Sequence, residues 1–356
     1  MEKIVISQET SRRMSVMSCI CACMIVAIHC TPNPPLGDWE WWVANLVGAD
    51  GLCRIAVPWF FVASGFFLGG RFGEDGWYSK VVKKRVRTLL VPFVIWAIIG
   101  FAFNWFMWYC IQKAGYACGV QNPMDGGLLM GLIRVLGFDL NRMNIGPIWY
   151  LRMLFLLVVV SPIICWGIRK AGLLLPSVLF VVYGIYDTTI HFADFWEYML
   201  SLRGFAYFTI GVAVRMGVLV QFRRSLWWCS GCRFLLMGVV ALTINTWSRL
   251  IGVVCLENFS DFAMVVPLMY GVWRLTTYIR LPNCFISNAF AIYVQHGLFL
   301  KISIGFIAIM GLRSAMDESL VIAAVRWLAA VVFPIVVSVG LRRMVPRAAS
   351  LIFGGR

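Results

Sequence analysis

The chain has 356 residues, of which 61% are hydrophobic and only 13% are charged, and its formal net charge is +15. Its mean hydropathy is +0.83. This composition excludes an ordinary soluble domain. The basic residues are divided among short segments instead of forming one continuous face, which argues against nucleic acid as a partner.

Ten apolar runs follow one another along the chain, each of about the 20 residues that a helix needs to cross a membrane. They cover residues 14–30, 52–69, 89–110, 148–168, 173–186, 199–216, 234–251, 262–278, 285–309 and 320–341. The runs are continuous and do not alternate as barrel strands do. The sequence therefore predicts an all-α, polytopic membrane helix bundle of about ten transmembrane helices. We expect one domain over residues 1–356 with no separate soluble domain, and a first run that is retained and not cleaved.

The distribution of charge predicts the orientation of these helices. If the N-terminus is inside, 21 of the 31 Lys and Arg residues lie on the inner side, and twelve of the sixteen Asp and Glu residues lie outside. This partition follows the positive-inside rule. We expect a bacterial inner-membrane protein with both termini in the cytoplasm, in contact with anionic lipid. The sequence leaves the oligomeric state open, and a homo-oligomer is one option.

The longest connection, residues 112–146, contains an apolar piece at 127–138 that is too short to span a membrane. It predicts an interfacial or re-entrant helix over an outer-facing cavity, or else a simple amphipathic cap. Most of the twelve cysteines fall inside predicted spans, where Cys behaves as a small apolar residue. One CxxC pair, Cys229 and Cys232, is poor evidence for zinc, so no metal site is predicted.

Five segments carry a family resemblance. In chain order they are MIVAIHC, which places His29 at the end of the first run, RIAVPWFFVASGFFL at 54–68, KKRVRTLLVPFVIW at 83–96, GPIWYLRMLFLL at 146–157 and SNAFAIYVQHGLFL at 287–300. Together they resemble the acyltransferase-3 family of membrane O-acyltransferases, whose members acylate sugars and other hydroxyl-bearing envelope components. The resemblance spans most of the chain. It implies transfer of an acyl group, most simply acetyl, from cytoplasmic acyl-CoA to an outer carbohydrate or glycolipid, without a metal.

One position departs from the family. The pattern R-x10-H has an arginine where this chain has Ser18. Arg12 and Arg13 lie about a turn and a half further back, and Arg54 is expected near the level of His29. Because of this substitution, the sequence also allows the alternative that the protein keeps the family fold but has lost activity.

The resemblance and the chemistry together give the candidate catalytic residues. Acyl transfer to a hydroxyl needs a base and a group that stabilises the developing oxyanion. His29 suits the first role because neutral imidazole titrates near physiological pH, although it is also a plausible interfacial histidine. Arg54, and with it Arg152, suits the second or binds an anionic glycan group through its planar guanidinium. The alternative for these arginines is structural pairing with Asp50, Asp187 or Glu197.

Two further sets of residues are candidates for binding. The first is the expected substrate site, formed by Trp149, Arg152, Tyr293 and His296. The second is a basic cluster that holds the CoA phosphates or only enforces topology, formed by Lys83, Lys84, Arg85 and Arg87. A transporter or flippase is the competing function, since it also uses intramembrane arginines and interrupted helices. No internal repeat supports that alternative.

Overall fold

The computed structural model describes residues 6–113, 122–136, 148–189, 201–218 and 231–355. Within these ranges the regular structure is entirely helical, as predicted. The α-helices are α1 (Gln8–Ile28), α2 (Trp39–Val47), α3 (Ala56–Gly69), α4 (Trp77–Arg85), α5 (Val91–Lys113), α6 (Gly127–Val135), α7 (Trp149–Val159), α8 (Ser161–Ala171), α9 (Leu174–Thr189), α10 (Leu202–Arg215), α11 (Gly231–Ile251), α12 (Val254–Leu275), α13 (Asn283–Ile286), α14 (Ala289–Ile309), α15 (Arg313–Glu318), α16 (Leu320–Met344) and α17 (Pro346–Ile352). A 3-10 helix (Leu52–Ile55) precedes α3, and a π-helical turn (Val86–Leu90) joins α4 to α5.

Six described helical stretches are long and apolar enough to cross a membrane. They are Gln8–Ile28, Trp39–Gly69, Trp77–Cys110, Gly231–Ile251, Ala289–Ile307 and Leu320–Met344. The pair α7 and α8 makes a seventh if it counts as one span. A multi-pass membrane protein is therefore confirmed, whereas the predicted number of ten spans is not. Two of the other predicted spans are short, since α10 has 14 residues and the apolar part of α9 is Leu174–Ile185.

The predicted span at 148–168 is broken into α7 and α8, which are bent by 60°. Pro162 lies in the first turn of α8. Proline has no N–H to donate, and its ring clashes with the carbonyl group four residues earlier in a helix. That carbonyl belongs to Val158, so α7 cannot continue through Pro162, and the chain turns at Val160 between the two helices.

The predicted apolar piece at 127–138 forms α6, which ends at Val135. A Cβ on Gly131 would lie 3.4 Å from the ring of Phe101, so α6 packs closely against α5. The choice between a re-entrant helix and a cap stays a prediction. Glu197 and Cys229 lie outside the described residues, as do residues 114–121 and 137–146 of the 112–146 connection.

Helices α3 and α10 approach each other closely through glycines. A Cβ on Gly65 would overlap the carbonyl oxygen of Phe208, and one on Gly211 would overlap that of Val62. Small residues allow such contact between membrane helices. The contact seats Phe61, which is fully buried, with its ring 4.8 Å from that of Tyr150 on α7.

The variant Gly65→Ala is expected to lower the thermal unfolding temperature in detergent, because the added methyl group must push α10 away from α3. Overpacking of this kind costs roughly 1–3 kcal/mol. Gly305→Ala on α14 is the matched control, since a Cβ there meets nothing within 4 Å. Equal unfolding temperatures for the two variants would contradict the expectation.

Helices α1, α14 and α16 pack as a group that positions the two described histidines. A buried apolar cluster joins Ala22 and Val26 of α1 to Ile292 of α14 and Ala330 of α16. The indole Nε1 of Trp327 also donates a hydrogen bond of 2.9 Å to the carbonyl oxygen of Cys23. The end of α1 is thereby held against the middle of α14.

Candidate functional site

His29 and His296 form a stacked pair. His29 directly follows the last residue of α1, and its ring lies 5.3 Å, between centroids, from that of His296, with 28° between the planes. His29 is exposed on one side, whereas His296 is fully buried. The structure thus brings together two predicted residues from opposite ends of the chain.

The hydrogen bonding of His296 fixes the form of its ring. Its Nδ1 lies 2.6 Å from the carbonyl oxygen of Tyr293. A carbonyl oxygen can only accept, so Nδ1 carries the proton and Nε2 keeps a lone pair. This Nε2 is buried and has no hydrogen-bond partner among the described residues. Buried polar atoms normally have a hydrogen-bond partner. Nε2 of His296 is therefore a proton acceptor that is available to a further group.

Tyr293 links the histidine pair to a cavity. Its ring lies 6.1 Å from that of His296 and 5.9 Å from that of Tyr150, both measured between centroids. Tyr150, Tyr293 and Ser18 all line a cavity of about 480 Å³, which we call the central cavity. Tyr150 is not one of the predicted site residues, although it follows Trp149 in the segment GPIWYLRMLFLL.

A second cavity, of about 600 Å³, lies beside the central one, and we call it the basic cavity. Phe67 and Arg85 line both cavities. The basic cavity is also lined by Lys84, Lys80 and Arg71. The two cavities are thus neighbours, with cationic side chains around the basic cavity and Tyr293, which lies beside the histidines, in the wall of the central cavity.

The predicted basic cluster is divided by this geometry. Lys84 and Arg85 line the basic cavity, whereas Lys83 and Arg87 are not among its lining residues in the described part of the chain. Successive helical residues point in directions about 100° apart. A run of adjacent cations therefore cannot all face one cavity.

Ser18 occupies the position at which the family pattern has arginine. Its hydroxyl donates a hydrogen bond of 2.8 Å to the carbonyl oxygen of Met14 and accepts one of 3.2 Å from Nε1 of Trp59. Arg13, a suggested source of the missing charge, instead binds the last turn of α12. Its guanidinium donates to the carbonyl oxygen of Trp273 at 2.6 Å and lies over that indole ring.

Arg54 belongs to a network of alternating charges. It forms ion pairs with the buried Asp261 of α12 and, at 3.3 Å, with Asp50. Arg203 of α10 lies 3.6 Å from the same Asp261, and Arg249 of α11 lies 3.0 Å from Asp50. The network therefore joins the 3-10 helix before α3 to α10, α11 and α12. Structural pairing with Asp50, one of the alternatives for Arg54, is present.

Arg152 and Trp149 lie at the start of α7, beside Tyr150. Arg152 is buried, and its Nη1 donates a hydrogen bond of 3.3 Å to the carbonyl oxygen of Leu136. The ring of Trp149 lies 6.5 Å from that of Phe61. Neither residue is among the described residues that line the central cavity, unlike Tyr293, and their binding role stays a prediction.

The described residues contain no group of three or more His, Cys, Asp or Glu side chains that could hold a metal ion. The chemistry available at the site is that of two imidazoles, phenols and nearby guanidinium groups. Such groups transfer protons and stabilise an oxyanion.

Comparison with known proteins identifies a family. The profile described as an acyltransferase domain matches residues 13–343. The succinoglycan biosynthesis protein ExoH of Rhizobium meliloti (strain 1021) is 29% identical over 161 residues, which are 43% of this chain and 42% of that relative. The aligned region thus spans less than half of the relative. No solved structure matches.

Proposed function

Because this chain belongs to the acyltransferase domain family, we propose that it transfers an acyl group, most simply acetyl, from cytoplasmic acyl-CoA to a hydroxyl of an envelope carbohydrate or glycolipid. The observation that carries this proposal is the stacked pair of His29 and His296 next to the central cavity. The biosynthetic role in the relative's name favours a polysaccharide or its precursor as acceptor.

The proposed reaction uses His29 as the base. A ring nitrogen takes the proton of the acceptor hydroxyl while the hydroxyl oxygen attacks the carbonyl carbon of the thioester. The new C–O bond forms, the C–S bond breaks, and the imidazolium returns the proton to the CoA thiolate. His296, held in one tautomer by Tyr293, supports the ring of His29 by stacking. We propose that Arg54 or Arg152 stabilises the oxyanion, since guanidinium is a strong donor to oxygen anions.

The donor would enter from the cytoplasmic side. The basic cavity offers cations for the CoA phosphates, and the central cavity leads from Arg85 to Tyr293. Entry of the donor from the cytoplasm requires α4, which lines the basic cavity, to lie on the cytoplasmic side, as the positive-inside rule predicts. We further propose ten spans, with both termini in the cytoplasm of a bacterial inner membrane.

Mass spectrometry of envelope glycans tests the function as a whole. Cells with the wild-type gene should contain a glycan with an acyl mass increment, and a deletion strain should lack it. Restoring the gene should restore the increment. Identical spectra would count against the enzyme and in favour of a transporter or an inactive family member.

The double variant Lys84→Gln/Arg85→Gln is expected to raise the KM for acyl-CoA by roughly 10- to 100-fold, because it removes charge-assisted hydrogen bonds to the donor phosphates. The measurement is initial rate against acyl-CoA concentration in reconstituted vesicles. Lys83→Gln/Arg87→Gln is the matched control, since it removes the same charge from residues outside the lining of the basic cavity. An equal rise in KM for both pairs would indicate a general surface effect instead of a binding site.

A further inference from the structure

Arg326 of α16 is a buried cation whose charge is not balanced by a described carboxylate. Only 8% of its surface is exposed, so it does not face lipid. Its Nε lies 3.4 Å from the hydroxyl oxygen of Ser303 on α14, and no acidic side chain in the described ranges forms an ion pair with it. A charge inside a membrane protein is costly unless it is paired or serves a ligand.

Three other intramembrane arginines differ from Arg326 because each is paired with acidic side chains. Arg54 and Arg203 share the carboxylate of Asp261, and Arg249 contacts both Asp50 and Glu257. These three cations are matched by three acids. Arg326 is fixed by a neutral hydroxyl alone, which leaves its guanidinium able to pair with an anion from outside the protein.

Arg326 also lies close to the proposed base. Burial raises the pKa of the Cys30 thiol to about 11, and the positive charge of Arg326 opposes that rise. Cys30 is the residue after His29. The adjacent Trp327 is bound to the carbonyl oxygen of Cys23 on α1, so this part of α16 is packed against the end of α1 that carries His29.

The direction along α14 separates Arg326 from the donor side. Ala289, Phe290 and Tyr293 line the central cavity, and all three precede His296. Ser303 follows His296 by seven residues, roughly 10 Å further along a helix that rises about 1.5 Å per residue. Arg326 therefore lies on the far side of the histidine pair from the central cavity.

From this arrangement we propose that Arg326 binds an anionic group, phosphate or carboxylate, on the acceptor saccharide and so places an acceptor hydroxyl at His29. The proposal deepens the proposed function, on which it rests for the identity of the acceptor. The donor occupies one side of the histidine pair, and the charged acceptor occupies the other. No covalent step is added.

Thermal unfolding of the purified full chain in detergent tests the binding site without needing activity. Glucose 1-phosphate and glucuronate are the anionic probes and separate phosphate from carboxylate, and methyl glucoside is the neutral probe. Wild-type protein should be stabilised by at least one anionic probe and less by the neutral one. Equal shifts with all three probes would overturn the proposal without any variant.

Arg326→Gln is expected to lower the affinity for the preferred anionic probe by about tenfold, because a charge-assisted hydrogen bond is lost. Arg326→Lys keeps the charge and should retain part of the affinity. The matched control is Arg342→Gln, on the same helix, whose Nη1 donates to Asn288 Oδ1 at 3.0 Å. It should retain the full probe affinity, and equal loss in the Arg326 and Arg342 variants would overturn the proposal.

Acyl transfer to the preferred anionic sugar and to methyl glucoside supplies the second readout. In Arg326→Gln the KM should rise for the anionic acceptor only, with the KM for acyl-CoA unchanged. If the wild type transfers the acyl group and Arg326→Gln keeps the same acceptor preference, the role of Arg326 is refuted, whereas the proposed function stands. A wild-type protein that binds the anion but transfers nothing would instead refute the proposed function.

Discussion

His29→Ala is expected to lower acyl transfer by roughly 100-fold or more, which is the usual contribution of a general base. The acyl mass increment on envelope glycans should disappear while the protein accumulates normally. The reason is geometric, since His29 is the exposed member of the histidine pair and His296 is fully buried. The substrate hydroxyl can therefore reach His29 more easily.

The control for this variant is Met24→Leu, a volume-conserving change on the same helix. Both variants should unfold at temperatures close to that of the wild type. Substantial transfer by His29→Ala, normalised to protein amount, would show that this imidazole is not the base and would direct attention to Nε2 of His296.

The pH dependence of the wild type gives a second check on His29. The ring of His29 is packed on one side, and the partial loss of water there lowers its pKa below the usual histidine value. Only the neutral imidazole can accept a proton, so activity should be constant at neutral pH and decline as the pH falls through this lowered value. The same group disfavours the folded state under those acidic conditions, because the unfolded chain binds the proton more readily. A decline that begins well above the usual histidine pKa would contradict His29 as the titrating base.

Asp261→Asn is expected to destabilise the protein by about 3–5 kcal/mol, the cost of removing one partner from a buried ion pair. Arg54 and Arg203 both contact this carboxylate, so the change leaves excess positive charge within the bundle. The measurement is thermal unfolding in detergent together with the amount of protein in the membrane. Both should fall.

Asp38→Asn serves as the comparison, because Asp38 is exposed and its side chain does not cap α2. That variant should change stability by no more than about 0.5 kcal/mol. Arg54→Gln then separates the two roles considered for Arg54. A reduced amount of protein with normal specific activity would assign Arg54 to the ion-pair network alone. Loss of activity in well-folded protein would support a role for Arg54 in stabilising the oxyanion.

The local chemistry of the chain made several features predictable. The C-terminal ends of α1, α14 and α16 lie close to their predicted limits, because a membrane span needs a long apolar run with charge or polar residues at its edges. His29 could be singled out because an imidazole at the end of such a run is costly. Pro162 was a visible signal for the break between α7 and α8, but the continuous hydrophobicity of 148–168 favoured one helix.

Other features depended on which helix face met which neighbour. Lys84 and Arg85 line the basic cavity while Lys83 and Arg87 do not, although all four belong to one short cationic run. Arg54 and Arg326 are both isolated arginines in apolar sequence, yet one has two acidic partners and the other has a serine. Hydropathy does not distinguish these cases, because it contains no information on helix rotation or on the order of helices in the bundle.

The sequence by itself determined that this is a helical membrane protein, which family it resembles and which side chains have the chemistry for acyl transfer. Those properties follow from the composition of local segments and from the intrinsic acidity and charge of each residue. Only the tertiary structure decided that His29 stacks on His296, that Tyr150 and Tyr293 connect them to a cavity, and which buried arginines are neutralised. These contacts join helices far apart in the chain, and they depend on how apolar surfaces of similar composition pack against one another.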